Sequence, residues 1–447
     1  MIKRIISIFV CLIMCTCLTS CNSNKDPDEG KKEEPSYTFK EREIKTDGQT
    51  YTGGLITYPA ELWQTPEYDY EPSLDFGTAG GTDVSKVKGL FYTSPVKYNG
   101  KKTRIAGYLG FPENIKEGEK APAIVLVHGG LGTAIPDWVK YWNDLGFVAI
   151  SIDTEGAEPI AGVSNYNNVH IPQNRYKDDE VYSNGPTNNS FGDYDKPLED
   201  QWMYHATSAT ILACSLISSF DCVDKQKIGI TGISWGGMIA NIVIGYDDRF
   251  SFAMPVYGAL SLTESNSGFK TIYVNGANND VSAKRWDTLK PLEQTNCKVF
   301  EVNGIQDPAF SFDASSRCAQ ASNGFCLFKK KFTHGQEYGA YEQNLPFFAK
   351  YFCGMESEYV EVVNHPTFKE PKLSLRKYGD VTIDEIKIYY TTKDVPDKTA
   401  VWRARKVSVV NGVYDYNLNV PTEAKYFYVS VCYNNNLEVS TYLQKNV

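Results

Sequence analysis

The chain has 447 residues and a formal charge of −9, from 45 Lys and Arg against 54 Asp and Glu. With no basic stripe anywhere, that balance argues against a nucleic-acid partner. No CxxC pair, HExxH, HxH or Cys–His cluster occurs, so neither a metal nor any other cofactor is expected.

The first 21 residues, MIKRIISIFVCLIMCTCLTSC, place Lys3 and Arg4 before an apolar run, Ile5 to Leu18, that is short for a bilayer span. This is the pattern of a secretory signal. Its end, Leu18-Thr19-Ser20-Cys21, resembles a bacterial lipobox, which makes Cys21 the expected lipidation site and new N-terminus. Fatty chains there would hold the protein to a membrane without a spanning helix. Residues 22–36 are polar, charged and free of aromatics, as in a disordered tether. Acidic residues soon after the cysteine resemble the surface-export signals of some Gram-negative bacteria. The expected location is therefore an exported one, at the outer membrane or cell surface. Seven cysteines lie beyond Cys21 (Cys214, Cys222, Cys297, Cys318, Cys326, Cys353 and Cys432), and their odd number predicts mostly buried free thiols.

After an N-terminal extension over 37–85, regular patterning starts. Residues 86–356 read as one α/β domain. VKGLFYTSPV and TRIAGYLGF alternate around Asn99-Gly100, a hairpin. PAIVLVHGG is almost continuously apolar, as a strand buried on both faces should be. A helix over DWVKYWNDLG and the strand FVAISID follow. The polar stretch 156–195 is long for a connection and is expected to shape a pocket. Then come the helix PLEDQWMYHATSATILACSLISS, with Asp195 and Pro197 as expected cap residues, and further alternating strands and helices to AYEQNLPFFAKYF. This predicts a mostly parallel central sheet flanked by helices. From 371 to 447 only short strands and turns remain, which predicts a small C-terminal β-sandwich. Its Tyr389, Tyr390 and Trp402 are either sugar platforms or core.

Gly232-Ile233-Ser234-Trp235-Gly236 matches G-x-S-x-G between the strand KIGITGIS and the helix WGGMIANIVIGY. A nucleophilic serine at such a junction sits on a tight turn, with the helix dipole aimed at the developing oxyanion. Only His334 and His365 follow Ser234, and His334 lies directly after the final strand, CLFKKKF, where it can reach the sheet's carboxyl edge. His365 falls in the linker to the sandwich. Of two candidate acids, Asp280 and Asp307, only Asp307 is followed by one helix and then the strand leading to the histidine. Asp307 is therefore the expected acid, and Asp313 a cap or pocket residue. The oxyanion donors are expected to be the Trp235 amide and one amide of the VHGGLG loop, Gly130 or Leu131. His128 is expected to brace that loop.

The stretches PAIVLVHGGLGTAIPDWVKYWNDLGFVAISIDTEG, KIGITGISWGGMIANIVIGYDDRFSFAMPVYG and VNGIQDPAFSFDASSRCAQ…FTHGQEYG resemble the dienelactone-hydrolase and acetylxylan-esterase-like branch of the α/β-hydrolases. That resemblance runs from about residue 86 to the end. It implies an α/β-hydrolase fold, with Ser234 as nucleophile, His334 as base, Asp307 as acid and the HGG loop as oxyanion hole. Leu131 departs from the many relatives that carry glycine there.

The function expected from these observations is hydrolysis of carboxylic esters, with an acylated carbohydrate or small ester as substrate. A dipeptidyl-peptidase-like serine peptidase is the competing enzyme reading, and a non-catalytic glycan-binding relative the competing reading outside enzymes.

Overall fold

The computed structural model describes residues 56–156, 180–261, 285–356 and 358–447. The signal, Cys21, the tether, Asp280 and much of the 156–195 stretch lie outside these residues. The hairpin is β1 (Lys88–Tyr98) and β2 (Lys101–Gly110). Then come β3 (Ala121–Val127), α1 (Pro136–Asp144), β4 (Val148–Ile152), α2 (Trp202–Ile217) and β5 (Val223–Ile233). After these run α3 (Trp235–Val243), β6 (Phe250–Val256), α4 (Leu289–Gln294), β7 (Lys298–Gly304), α5 (Phe312–Ala321) and β8 (Phe325–Lys329). Two helices, α6 (Gln336–Ala340) and α7 (Asn344–Phe352), close the series.

The sheet runs β1-β2-β4-β3-β5-β6-β7-β8. Strand β2 is antiparallel to both neighbours, and every pairing from β4 to β8 is parallel. This is the α/β-hydrolase fold. Strands β3 and β4 are buried along their whole length, which is why their sequences are apolar without alternation, save Ser151, whose hydroxyl oxygen accepts the Ile135 amide. Each Ile, Leu or Val there contributes roughly 1.5–3 kcal/mol of transfer free energy. All parallel strands end on one edge, so the loops that follow them collect there.

Helix α2 is buried at every position. Residues of the N-terminal extension cover it: Tyr58 donates to Thr207 Oγ1 at 2.7 Å, and Tyr204 donates to the Thr57 carbonyl at 2.9 Å. Its start differs from the cap expected at Asp195 and Pro197. The first helical residue is Trp202, whose amide is taken by Asp193 Oδ2 at 2.7 Å. Residues 198–200 form a 3-10 turn that uses up the proline's helix-starting tendency.

The C-terminal strands are β9 (Tyr359–Asn364), β10 (Lys372–Tyr378), β11 (Ile383–Thr391), β12 (Arg403–Val407), β13 (Asp415–Asn417), β14 (Tyr426–Tyr433) and β15 (Leu437–Ser440). They divide between two sheets, β9-β10-β13 and β15-β14-β11-β12. The second joins the central sheet through one antiparallel pair, Cys326 opposite Ser440. That pair covers what would otherwise be the exposed edge of β8. Trp402 is buried against Phe312 and Tyr428, with ring centroids 5.5 and 5.7 Å away. It is core rather than a sugar platform. Tyr389 stacks on Tyr428 at 5.2 Å, and Tyr390 packs half-buried against the main core. All seven described cysteines are free thiols, five of them buried.

Candidate active site

Ser234 stands between β5 and α3 with φ 57° and ψ −117°, a left-handed conformation that is costly for a residue with a side chain. Its neighbours hold it there. The Ser234 amide donates to the Val256 carbonyl at 3.0 Å, and its carbonyl accepts from Met238 at 3.0 Å. The two flanking glycines are required by close approach: a Cβ on Gly232 would lie 2.1 Å from the Gly236 carbonyl oxygen. One on Gly236 would lie 2.1 Å from that of Val127. The turn therefore points the serine hydroxyl off the carboxyl edge of the sheet.

His334 follows β8 and reaches back over that edge. Its Nε2 lies 3.0 Å from Ser234 Oγ, and its Nδ1 lies 2.7 Å from Asp307 Oδ2. A carboxylate only accepts, so Nδ1 carries the proton and Nε2 faces the serine as an acceptor. The Asp307 side chain is fully buried while that of His334 keeps 23% exposure. The other oxygen of Asp307 accepts two amides, from Ala309 at 2.9 Å and Phe310 at 2.8 Å. The turn after β7 thus fixes the carboxylate and leaves one oxygen for the imidazole. The imidazole itself lies between aromatics, with Tyr257 4.4 Å and Phe310 6.1 Å from its centroid. The buried Tyr257 hydroxyl donates to the Gly335 carbonyl, and burial raises its pKa. The Asp307 turn also leans on the C-terminal strands. Gln306 Nε2 donates to the Lys398 and Ala400 carbonyls at 3.4 and 3.3 Å.

The structure thus brings Ser234, His334 and Asp307 into one hydrogen-bonded chain. Asp313 is buried in the first turn of α5. His365 stacks on Tyr442 and accepts its amide at 3.0 Å, in a separate part of the fold. Trp235 is the first residue of α3, so its amide is one of the helix's terminal donors. Its ring meets Phe191 and Trp202 edge-on at 5.3 and 5.5 Å. Phe191 belongs to the described end of the 156–195 stretch, which therefore packs onto the nucleophile's neighbour.

Of the two HGG-loop candidates, Leu131 is removed. Its amide donates to Glu155 Oε1 at 2.6 Å and is not available to a substrate oxygen. The Gly130 amide makes no hydrogen bond among the described residues and is the donor that remains. His128 supports the loop: its Nδ1 bonds the Gly129 carbonyl at 2.6 Å, and its Nε2 accepts the Thr154 amide at 3.1 Å. Sequence reasoning missed Glu155, Gln336 and Tyr257. Glu155 is buried just beyond β4, and burial pushes its carboxyl pKa up against the pull of His128 and the Leu131 amide. It lies three residues past the end of β4, and nothing local in the sequence marks it.

A serine held at a strained strand–helix turn, a histidine and a buried carboxylate, all on an α/β-hydrolase sheet, define a serine hydrolase. Comparison with known proteins adds detail. A model of the prolyl oligopeptidase family matches residues 193–327, a span that holds Ser234 and Asp307 and ends before His334. No curated protein matches the chain. Among solved structures, acetyl xylan esterase 1 from Thermoanaerobacterium sp. is 16% identical, with a TM-score of 0.45 over 64% of this chain and 88% of that one. The acetyl xylan esterase of Paenibacillus sp. R4 is 16% identical, with a TM-score of 0.45 over 65% and 88%. An acylaminoacyl peptidase from Pyrococcus horikoshii is 16% identical, with a TM-score of 0.40 over 60% and 47%. No helix of the described residues is long and apolar enough to cross a membrane.

Proposed function

We propose that the protein is an exported serine esterase, anchored through lipid on Cys21, that removes acyl groups, acetyl first among them, from polysaccharides. The observation that carries the reading is the Asp307–His334–Ser234 chain of hydrogen bonds, 2.7 and 3.0 Å long, on a serine held at positive φ. In the proposed reaction Ser234 Oγ attacks the ester carbonyl as His334 Nε2 takes its proton. The carbonyl oxygen becomes an oxyanion and accepts from the Trp235 and Gly130 amides. As the oxyanion collapses and the bond to the sugar oxygen breaks, His334 protonates that oxygen, releasing the sugar hydroxyl and leaving an acyl-enzyme. Water, deprotonated by His334, releases the acid and restores Ser234. Asp307 keeps the proton on Nδ1 and stabilises the imidazolium in both halves. The C-terminal strands, as a β-sandwich, would serve to brace the Asp307 turn rather than to bind sugar.

The ester preference draws on the sequence resemblance to the dienelactone-hydrolase and acetylxylan-esterase-like branch. A second reading, a peptidase, draws on the match to the prolyl oligopeptidase family over residues 193–327. A dipeptidyl peptidase holds its substrate amino terminus with exposed carboxylates, a role that Glu155, 1% exposed and turned onto Leu131, does not fill. The test is acetate release from a panel of acetylated polysaccharides beside cleavage of aminoacyl anilides, with the wild-type chain and Ser234→Ala. The expected result is acetate release that falls roughly 10⁴-fold or more in the variant. Anilide cleavage without acetate release would replace the esterase with the peptidase.

A further inference from the structure

The turn Gly129–Gly132 carries the proposed oxyanion donor. Its own residues do not dictate its shape. Leu131 sits in the left-handed region at φ 63°, where glycine is favoured, and it is half-exposed. Something outside the turn has to hold it. The carbonyl of Gly129 is closed by the Gly132 amide at 3.1 Å and by His128 Nδ1 at 2.6 Å. Two side chains from distant elements take the amides. Gln336 Oε1 accepts Gly129 N–H at 2.8 Å, and Glu155 Oε1 accepts Leu131 N–H at 2.6 Å. Between these two pinned amides lies that of Gly130.

Gln336 is the more informative clamp because of where it comes from. It lies two positions beyond His334 and opens helix α6. A Cβ on Gly129 would stand 3.4 Å from Gln336 Oε1 and 3.5 Å from Ser234 Cβ, so this contact is beside the nucleophile. The orientation of the amide is forced, since reversing it would set Nε2–H against the Gly129 N–H. In that orientation Nε2 is buried without a hydrogen-bond partner among the described residues. A site chosen for stability alone would satisfy that donor or dispense with it.

We infer that Gln336, with Glu155 on the other side, is a positioning residue that fixes the Gly129–Gly132 turn and so presents the Gly130 amide to the oxyanion. Because Gln336 also follows the base, the same side chain ties the histidine loop to the oxyanion loop. The inference rests on the serine-hydrolase mechanism proposed above. It predicts a defect confined to the transition state, since a substrate's neutral carbonyl draws far less on the donor than an oxyanion does.

The experiment measures kcat and KM for an activated acetate ester, affinity for an arylboronic acid, and the unfolding temperature. It uses the wild type, Gln336→Met, Gln336→Glu and Ser234→Ala. The boronic acid adds to the serine and places an oxygen where the oxyanion forms. Gln336→Met keeps the volume and removes the acceptor. Its kcat should fall about 10- to 100-fold, somewhat less than loss of a whole oxyanion donor, with KM within about two-fold. Boronate affinity should fall in step and the unfolding temperature should hold. Gln336→Glu restores an acceptor and should recover most of kcat. Wild-type kcat in Gln336→Met overturns the inference, as does a loss shared with KM and unfolding temperature. Should Ser234→Ala keep its turnover, the mechanism beneath the inference fails first. Should Ser234→Ala be inactive and Gln336→Met unaffected, only the clamp fails.

Discussion

The carboxyl edge of the central sheet and its interior treat an acidic side chain in opposite ways, and β7 carries one of each. Asp307, in the turn after the strand, accepts two amides and the His334 imidazole, so all of its capacity is directed. Glu301, within the strand, is fully buried beside the Asn241 side chain, and among the described residues neither of its oxygens has a partner within hydrogen-bond geometry. Burial pushes its pKa up to about 8, against the pull of the Asn241 side chain. The difference is one of backbone supply. At a strand's end the chain turns and its amides are unspent, so a carboxylate there can be ionised, fixed and put to work. Inside the sheet every amide belongs to the ladder, and a carboxylate can settle only by holding its proton.

Asp307→Asn should give the larger effect of two substitutions that probe this contrast. The amide keeps an oxygen for Ala309 and Phe310 but offers N–H groups to His334, which forces the proton onto Nε2 and away from the role of base. Turnover should drop about 10³- to 10⁴-fold at pH 7 with the unfolding temperature nearly unchanged. Stopped assays and a thermal melt read this, and a variant that loses stability in place of activity would break the contrast. Glu301→Gln should act the other way, on stability and not on turnover. The folded pKa of Glu301 is raised above the ordinary 4.5 to about 8. Its contribution to stability is therefore fully present below pH 4.5 and lost as pH rises through 8. The wild-type unfolding temperature should fall by a few degrees between pH 6 and pH 9, and the neutral variant should flatten that slope. Parallel slopes would mean that Glu301 is ionised already and partnered.

The same division decides what was legible in the sequence. The turn at Ser234 is written in local sterics, because Gly232 and Gly236 are the only residue type that their neighbours' backbone atoms allow. Asp307 and His334 are placed by chain order, since a parallel sheet delivers each strand's end to the same edge. Contacts made by reach leave no such trace. Nothing local marks Glu155 or Gln336 as the acceptors of the Leu131 and Gly129 amides, so Leu131 stayed among the expected oxyanion donors. Helix α2 begins at Trp202, with Asp193 rather than Asp195 accepting its first amide, because a 3-10 turn intervenes. Alternation left Trp402 open between sugar platform and core, and what decides it is burial against Phe312 of the hydrolase domain, a pairing far apart in sequence.

The most direct test of the central claim is reaction of the folded protein with a fluorophosphonate, followed by peptide mass mapping. The mechanism predicts one adduct, on Ser234, and its loss in His334→Ala, because only a serine deprotonated by that imidazole attacks phosphorus at a useful rate. An adduct on another residue, or an equal adduct without His334, would contradict the assignment of Ser234 as the activated nucleophile.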